Sequence, residues 1–274
     1  LCYYNSHHPA APIACEPLVL TTLGAFVSLL LVFRTNSSYG RFTEARLLLG
    51  QLVLYAREFA RVAVVHLPRE LARKSVDHLS VYAWCLKARV RAHDNPEPTI
   101  RKIIGTKKAN ELLMKTKPAF FALQELTKIM AECEHALPGY VTYSLDQSLH
   151  NLDRVLGGCE RLISTPIPLS YTRHTSRSVL LFLLVVPIGL WKSCGWSTVP
   201  ITILISFILL GIDEIAVHIE EPFAIMPLQQ LCQVVQATCQ ETFQLYAVPD
   251  EEKTWRREST AGMNGGWDQS ESPA

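Results

Sequence analysis

Residues 179–212 read VLLFLLVVPIGLWKSCGWSTVPITILISFILLGI, and Lys192 is the one charged residue in this stretch. Two uncharged runs, 179–191 and 193–212, are separated by Lys192. The turn-prone sequence Ser-Cys-Gly-Trp comes directly after this lysine, at residues 193–196. About 20 apolar residues suffice to cross a bilayer as a helix. Trp191 and Trp196 are spaced for the headgroup level, where amphipathic rings prefer to lie. The stretch predicts a membrane hairpin of two spans over residues 179–219.

A third uncharged run lies upstream, at residues 18–33. It is slightly shorter than a free-standing span, but it runs directly into FRTNSSYGRFTEAR (33–46) and can continue there as a helix. We interpret 18–33 as a membrane span; the alternative is a buried core helix. Because the chain begins at Leu1 and residues 1–4 resemble the end of a longer segment, we interpret 1–17 as the end of a first membrane segment and a connecting loop.

The remaining regions are more polar. Residues 34–178 are charged and periodic, with Leu145, Leu149, Leu152 and Leu156 at helical spacing, and no stretch alternates with period two for long enough to suggest a sheet. We predict an extramembrane helical domain for 34–178 and an extramembrane C-terminal helix within 220–250. Residues 251–274 end in a Gly- and Ser-rich stretch, for which we predict a disordered tail. The fold class is therefore all-α.

Composition argues against several classes of protein. The formal net charge of +1 leaves no basic excess for a nucleic-acid partner. The 8 cysteines form no CxxC pair, which gives a zinc site little support. His7 and His8 are the one weak metal candidate, and they lack further ligands at metal-binding spacing. We find no nucleophile elbow, phosphate loop or spaced carboxylate pair, so the sequence predicts neither an enzyme nor a cofactor.

Three charged clusters stand beside the predicted spans. In 33–46, Arg34 and Arg41 share a helix face and can form a positive collar that attracts anions; anchoring arginines are the alternative. In ERLISTPIPLSYTRHTSR (160–177), two prolines end one helix and begin the next. In GIDEIAVHIEEPFAIMPL (211–228), acidic residues follow the third span. We expect structural charge pairing among Glu44, Arg161, Arg173, Arg177, Asp213, Glu214, Glu220 and Glu221, with a proton relay as the alternative for the acids.

These three stretches closely resemble the signature motifs of the bestrophin-like family, most closely its plant and algal branch of thylakoid chloride channels and bicarbonate channels. The resemblance covers roughly residues 18–246. It implies an integral membrane helical bundle that assembles as a homopentamer around a central anion pore. It also implies four membrane segments in each subunit, of which this chain retains the end of the first and the next three.

The same resemblance implies that the span before FRTN lines a narrow hydrophobic neck. Counted back from Arg41 in the YxRF-like stretch, the neck positions are Phe33, Leu29 and Ala25, where Ala25 departs from the usual bulky residue. The anion-attracting collar would comprise Arg34, Asn36 and Arg41. Animal bestrophins carry an acidic calcium clasp after the last span, whereas this chain continues Glu220-Glu221-Pro222. We therefore expect no calcium gating.

The function expected from these observations is passive conduction of chloride or bicarbonate in a lipid bilayer. A non-conducting membrane scaffold with the same fold is the alternative, and a coupled transporter is disfavoured because no charge interrupts the clear spans. We expect the chloroplast thylakoid membrane, with another chloroplast membrane or a bacterial inner membrane as alternatives.

Overall fold

The computed structural model describes residues 2–7, 15–92, 94–133, 135 and 137–247, and these residues form helices without any strand. The all-α prediction is confirmed. The helices are α1 (Cys2–His7), α2 (Pro17–His66), α3 (Arg69–Val90), α4 (Glu97–Ile104), α5 (Thr106–Leu113), α6 (Pro118–Cys133), α7 (Gly139–Ser164), α8 (Leu169–Cys194), α9 (Thr198–Glu220), α10 (Pro222–Ile225) and α11 (Leu228–Tyr246). The tail predicted at 251–274 lies outside the described residues.

Prolines determine where most of these helices begin. Proline has no backbone N–H, and the first turn of a helix leaves its N–H groups without a helical partner, so proline is tolerated there. Helices α2, α6 and α10 start on a proline, and a proline directly precedes five others, at Pro68, Pro96, Pro138, Pro168 and Pro227. The two prolines of the second motif, Pro166 and Pro168, therefore separate α7 from α8, as their spacing predicted.

The chain divides into two compact units. Unit 1 comprises Leu1–Arg46 and Ser164–Met226, and unit 2 comprises Leu47–Ile163 and Pro227–Ala274. Helix α2 contributes residues to both units.

Unit 1 has a small core. Val27, Leu31 and Val179 are buried, and Phe182, Leu183 and Leu209 pack against them. Helices α8 and α9 form a hairpin joined by a short 3-10 turn at Gly195–Ser197. Gly195 has φ +51°, a left-handed conformation that suits glycine at the end of a helix. The rings of Trp191 and Trp196 meet edge to face at 6.1 Å at this turn.

The start of α2 is fixed against the hairpin by two contacts. The Cys15 backbone N–H donates to the Ile188 carbonyl at 3.4 Å, and Lys192 lies 3.9 Å from the Glu16 carboxylate. Within the hairpin the large apolar side chains remain exposed, with Leu184 at 69% and Phe207 at 78%. A hairpin with so little of its apolar surface buried requires an apolar environment outside the chain.

Unit 2 has a conventional core built around α3. Every residue from His78 to Leu86 is buried, so this helix is enclosed on all sides. The Tyr82 hydroxyl donates to the Leu152 carbonyl of α7 at 2.7 Å, and the Trp84 indole donates to Gln236 of α11 at 3.0 Å. Both bonds satisfy polar groups that burial would otherwise leave without a partner.

Candidate functional site

The predicted neck residues lie on one face of α2. Ala25, Leu29 and Phe33 are spaced at i, i+4 and i+8, which places them on one stripe of the helix. All three are exposed in the single chain, with Leu29 at 52% and Phe33 at 55%. Val27 and Leu31, on the other side of the helix, are 6% and 3% exposed and pack in the core of unit 1. The stripe is thus an uncharged apolar surface that the described residues of unit 1 leave exposed.

The apolar stripe ends at a polar side chain. Asn36 follows Phe33 by three residues and is also exposed, so its amide continues the same face of α2. Ser37 is exposed as well, and its hydroxyl donates to the Phe33 carbonyl at 2.8 Å. The surface therefore changes within one turn from an apolar to a hydrogen-bonding one.

Arg34 points in a different direction from the stripe. Its side chain is 1% exposed, and its Nη1 donates to Asp213 of α9 and, at 2.9 Å, to the Ser176 hydroxyl of α8. Ser176 in turn donates to the second Asp213 oxygen at 3.2 Å. The chain of hydrogen bonds joins α2, α8 and α9 through one buried ion pair. Arg34 is therefore buried in the single chain and lies away from the exposed stripe, and its place in the predicted collar stays a prediction.

The hydrogen bonding of Arg34 is incomplete. Its Nε and Nη2 atoms, and the Ser38 hydroxyl one turn further along α2, are buried without a hydrogen-bond partner among the described residues. A buried charge is costly unless it is paired and hydrogen-bonded. The ion pair with Asp213 is therefore the contact that offsets the cost of burying the Arg34 charge.

Arg41 holds the ends of two helices. Its Nε donates to the Glu220 carbonyl at the end of α9 at 3.2 Å, and its Nη1 donates to the Thr165 carbonyl, directly after α7, at 2.7 Å. Carbonyls at helix C-termini lack helical partners and carry partial negative charge, so a guanidinium is well suited to both. The side chain is half-buried. Sequence spacing gave no signal for these bonds, because both acceptors are backbone atoms distant in the chain.

The predicted charge partners are only partly brought together. Asp213 meets Arg34, and Glu220 meets Arg41 through its backbone carbonyl. Arg161, in unit 2, and Glu44 each make an interaction in the structure. The side chains of four residues are exposed, and no ion pair among the described residues includes them: Arg173, Arg177, Glu214 and Glu221.

The region gives no structural support for a metal ion. In the described part of the chain, no three His, Cys, Asp or Glu side chains are grouped as metal ligands require. His7 uses its ring, with Nδ1 2.9 Å from the Tyr3 carbonyl, and His8 lies outside the described residues.

Two helical stretches of the described chain are long and apolar enough to cross a membrane, Pro17–His66 and Leu169–Glu220. The second contains both α8 and α9. In the most apolar 18-residue window of each, 17% and 6% of the residues are buried. The core helix of a soluble protein would be mostly buried, so this exposure favours membrane spans.

Comparison with known proteins identifies the family. Residues 1–241 match the model for the bacterial/fungal bestrophin proteins. A voltage-dependent anion channel-forming protein of Nostoc is 32% identical over 231 residues, covering 79% of this chain and 75% of that protein. Voltage-dependent chloride channel 2, chloroplastic, of Arabidopsis thaliana is 29% identical over 231 residues, covering 82% of this chain and 56% of that protein.

The fold is also that of a solved structure. The crystal structure of a bacterial bestrophin homologue from Klebsiella pneumoniae superposes with a TM-score of 0.81 at 27% sequence identity, covering 88% of this chain and 92% of that chain. This chain belongs to the bestrophin family.

Proposed function

We propose that this chain is one subunit of a pentameric anion channel that passes chloride, bicarbonate or both passively across a lipid bilayer. The stripe of Ala25, Leu29 and Phe33 on α2 forms the hydrophobic neck of a central pore. The observation that carries the proposal is the exposure of this stripe on a helix whose opposite face is buried.

A ring of five such helices explains why the stripe is apolar and uncharged. Each copy turns its stripe toward the axis of the ring. There the five stripes face one another across the pore and need no lipid or protein core to cover them. A narrow hydrophobic constriction expels water, and a dry neck does not conduct ions. The neck therefore gates by dewetting and conducts only when water fills it. Phe33 has the largest side chain of the three and sets the narrowest ring, whereas Ala25 leaves a wider one.

Selection for anions comes from groups next to the neck. Asn36 presents exposed amide donors one turn beyond Phe33, and Arg41 adds a positive charge that faces helix C-termini. Arg34 contributes a buried charge that Asp213 largely balances. These three residues retain their place in the proposal, with Arg34 acting from behind the stripe and not as part of its surface.

The names of the relatives support conduction over catalysis. The Nostoc protein is named a voltage-dependent anion channel-forming protein, and the Arabidopsis protein a chloroplastic voltage-dependent chloride channel. We propose an anion channel on this ground, with a thylakoid location as the specific form of the proposal. Another chloroplast membrane or a bacterial inner membrane is the alternative, and the second is considered because the Nostoc and Klebsiella relatives are bacterial.

Calcium independence is part of the proposal. Helix α9 ends with Glu220, and Glu221 is the one residue between it and α10, which begins at Pro222. Ca²⁺ needs six to eight oxygen ligands, and Glu221 is exposed. Open probability in a bilayer should be the same in chelator and in millimolar calcium, and a steep calcium response would contradict this part of the proposal.

Recording from the full-length protein in a planar bilayer tests the proposal directly. Under a chloride gradient the reversal potential should follow the anion, and replacing chloride by bicarbonate should retain current. Native mass spectrometry of the same preparation should give five subunits. A stable pentamer that passes no current under any gradient would favour the alternative, a non-conducting membrane scaffold with the same fold; a stable monomer or dimer would contradict both the neck and the pore.

A further inference from the structure

Four polar atoms beside the Arg34 ion pair are buried without a hydrogen-bond partner among the described residues. They are the Nε and Nη2 atoms of Arg34 and the hydroxyl oxygens of Ser38 and Thr172. Arg34 and Ser38 are 1% and 0% exposed. A buried hydroxyl in a helix commonly donates to a carbonyl of the preceding turn, as Thr175 does to the Tyr171 carbonyl at 3.0 Å. Native proteins satisfy nearly all their buried polar groups, so these four atoms call for a partner.

The register of α2 against α8 brings the two hydroxyls to one level. The helices run antiparallel, because three close approaches pair a rising number on α2 with a falling number on α8: Leu20 with Gly189, Gly24 with Phe182 and Arg34 with Ser176. One helical turn is 3.6 residues. Ser38 and Thr172 each lie four residues beyond the Arg34–Ser176 contact, in the same direction and on the same faces. The two hydroxyls therefore lie level with each other, one turn from the ion pair.

Helix α9 supplies a small residue at the same level. It runs parallel to α2, since both of the contacts that Arg34 and Arg41 make with it join residues 179 positions apart. Ala216 follows Asp213 by about one turn and is fully buried at 0%. A serine, a threonine and an alanine therefore meet where the three helices pack. Their small volumes suit a ligand of about the size of one water molecule.

The chemistry of the four atoms selects this ligand. Nε and Nη2 lie on one edge of the guanidinium, and both can only donate, while Nη1 already donates to Asp213 and Ser176. The ligand must therefore accept hydrogen bonds. An anion is disfavoured, because the Asp213 carboxylate already balances the guanidinium and a second anion would be a buried charge without a counter-charge. Water is neutral, accepts two hydrogen bonds and donates two, and buried waters typically make about three.

We propose that Arg34, Ser38 and Thr172 form a binding site for one buried water molecule. The water accepts from Nε and Nη2 of Arg34 and donates to the oxygens of the Ser38 and Thr172 hydroxyls. It extends the contact between α2 and α8 by one turn, and it leaves the buried guanidinium hydrogen-bonded on both of its edges. All of these residues belong to unit 1, and the site requires neither the proposed pore nor a second subunit.

The sign of a stability change tests the site. A hydroxyl that is buried without a partner destabilises the protein, so its removal would raise the melting temperature. A hydroxyl that binds the water stabilises it, so Ser38→Ala and Thr172→Val should each lower the melting temperature, by about 2–4 °C. Thermal unfolding of the full-length, detergent-purified protein measures both shifts. An increase or no change in either variant would overturn the proposal.

The double variant tests whether the two hydroxyls share one ligand. Once Ser38→Ala has removed one partner of the water, Thr172→Val should cost less, so the combined shift should fall short of the sum by about 2 °C. Thr175→Val is the matched control, because Thr175 is equally buried on α8 but donates to the Tyr171 carbonyl. Its shift should add to that of Ser38→Ala. Additive shifts for Ser38 and Thr172 would contradict a shared water.

Crystals of the full-length protein grown with bromide in place of chloride identify the ligand. Bromide scatters anomalously, whereas water does not. The site should show the density of one ordered water without an anomalous peak, and the density should be lost in the double variant. An anomalous peak would make the ligand an anion, and a site without density would mean that the four atoms bind nothing; either result would overturn the proposal. These readouts need no current, so their failure is distinguishable from failure of the proposed channel.

Discussion

Helix α2 passes through two different environments along 50 uninterrupted residues. In unit 1, Leu29 and Phe33 are 52% and 55% exposed, whereas in unit 2 Phe59 and Ala63 are fully buried at 0%. The segment in unit 1 is the more apolar by sequence and yet the less buried, since 18–33 has no charged residue and unit 2 places Arg57, Glu58 and Arg61 beside Phe59. Apolar surface that a chain leaves exposed must be covered by something outside it, here lipid or further copies of the chain.

The charged groups differ between the units in the same way. Unit 1 buries one ion pair, Arg34 with Asp213, between three helices. Unit 2 places its ion pairs nearer the surface; Glu160, for example, receives Arg89 at 3.1 Å and Lys117 at 3.5 Å, and both basic side chains are largely exposed. Exposed pairs contribute little to stability, so unit 2 depends mainly on its apolar core, whereas in unit 1 a buried ion pair adds to a smaller core.

Replacing the two phenylalanines of α2 tests the comparison most strongly. Phe59→Ala should lower the free energy of unfolding by about 3–5 kcal/mol, because it leaves a cavity in a closed core. Phe33→Ala, at the exposed stripe, should change the free energy of unfolding far less and should raise the conductance or open probability of the proposed pentamer. Denaturant unfolding and bilayer recording on the same preparations give both quantities.

An opposite result at Phe33 would be equally informative. If Phe33→Ala destabilised the protein as much as Phe59→Ala and left the unitary current unchanged, Phe33 would pack against another helix and the neck assignment would fail.

Breaking the buried ion pair should have the next largest effect. Arg34→Met should cost about 3 kcal/mol, because it leaves the Asp213 carboxylate buried without its cation. The double variant Arg34→Met, Asp213→Asn should recover much of that loss. Arg89→Met, which removes a partner of Glu160 in unit 2, is the matched control and should cost less than about 1 kcal/mol. Equal costs in the two units would mean that the Arg34 pair is no more buried than a surface one.

Alanine substitutions at two adjacent glycines of α7 should have smaller effects on the free energy of unfolding, and the two effects should be opposite in sign. A Cβ at Gly158 would lie 2.7 Å from the Leu48 Cδ2 atom, whereas a Cβ at Gly157 would meet nothing within 4 Å. Gly158→Ala should therefore destabilise unit 2 by about 1 kcal/mol through overpacking, and Gly157→Ala should stabilise it by about 0.5–1 kcal/mol through helix propensity. Thermal unfolding of both variants measures the difference. Stabilisation by both would show that Leu48 moves aside freely.

The cysteines distinguish the units without any mutation. Burial raises the pKa of Cys85, Cys232 and Cys239 in unit 2 to about 12 from an ordinary value of 9.0. The thiolate is the reactive form, so these three should resist maleimide at pH 7.5, while the partly exposed Cys15 and Cys194 of unit 1 should react. Mass spectrometry of the labelled protein reads each site, and rapid labelling of Cys85 in folded protein would contradict its burial.

The same shift predicts a pH dependence of stability. Below pH 9 these thiols are neutral in both the folded and the unfolded chain, so they add no pH dependence there. Between about pH 9 and 12 the unfolded chain loses these protons first, which favours unfolding. Stability of unit 2 should therefore decline as pH rises through this range, and a rise would contradict the direction of the shift.

The sequence by itself determined the helical class and the positions of most helix starts. Long uncharged runs and the period of Leu145, Leu149, Leu152 and Leu156 are local properties, as is the missing N–H of a proline, and each acts on its own segment of chain. The family motifs determine the residue, Arg41, from which the neck positions are counted. Spacing then places Ala25, Leu29 and Phe33 on one face of α2.

Only the tertiary structure decided which charges meet. Arg34 and Arg41 look equivalent in sequence, seven residues apart on one helix, but Arg34 is buried against Asp213 and Ser176 while Arg41 binds the carbonyls of Glu220 and Thr165. Their partners lie 124 to 179 residues away, and two of them are backbone atoms that carry no sequence signal. Local spacing sets what a helix face carries, and packing sets what that face meets.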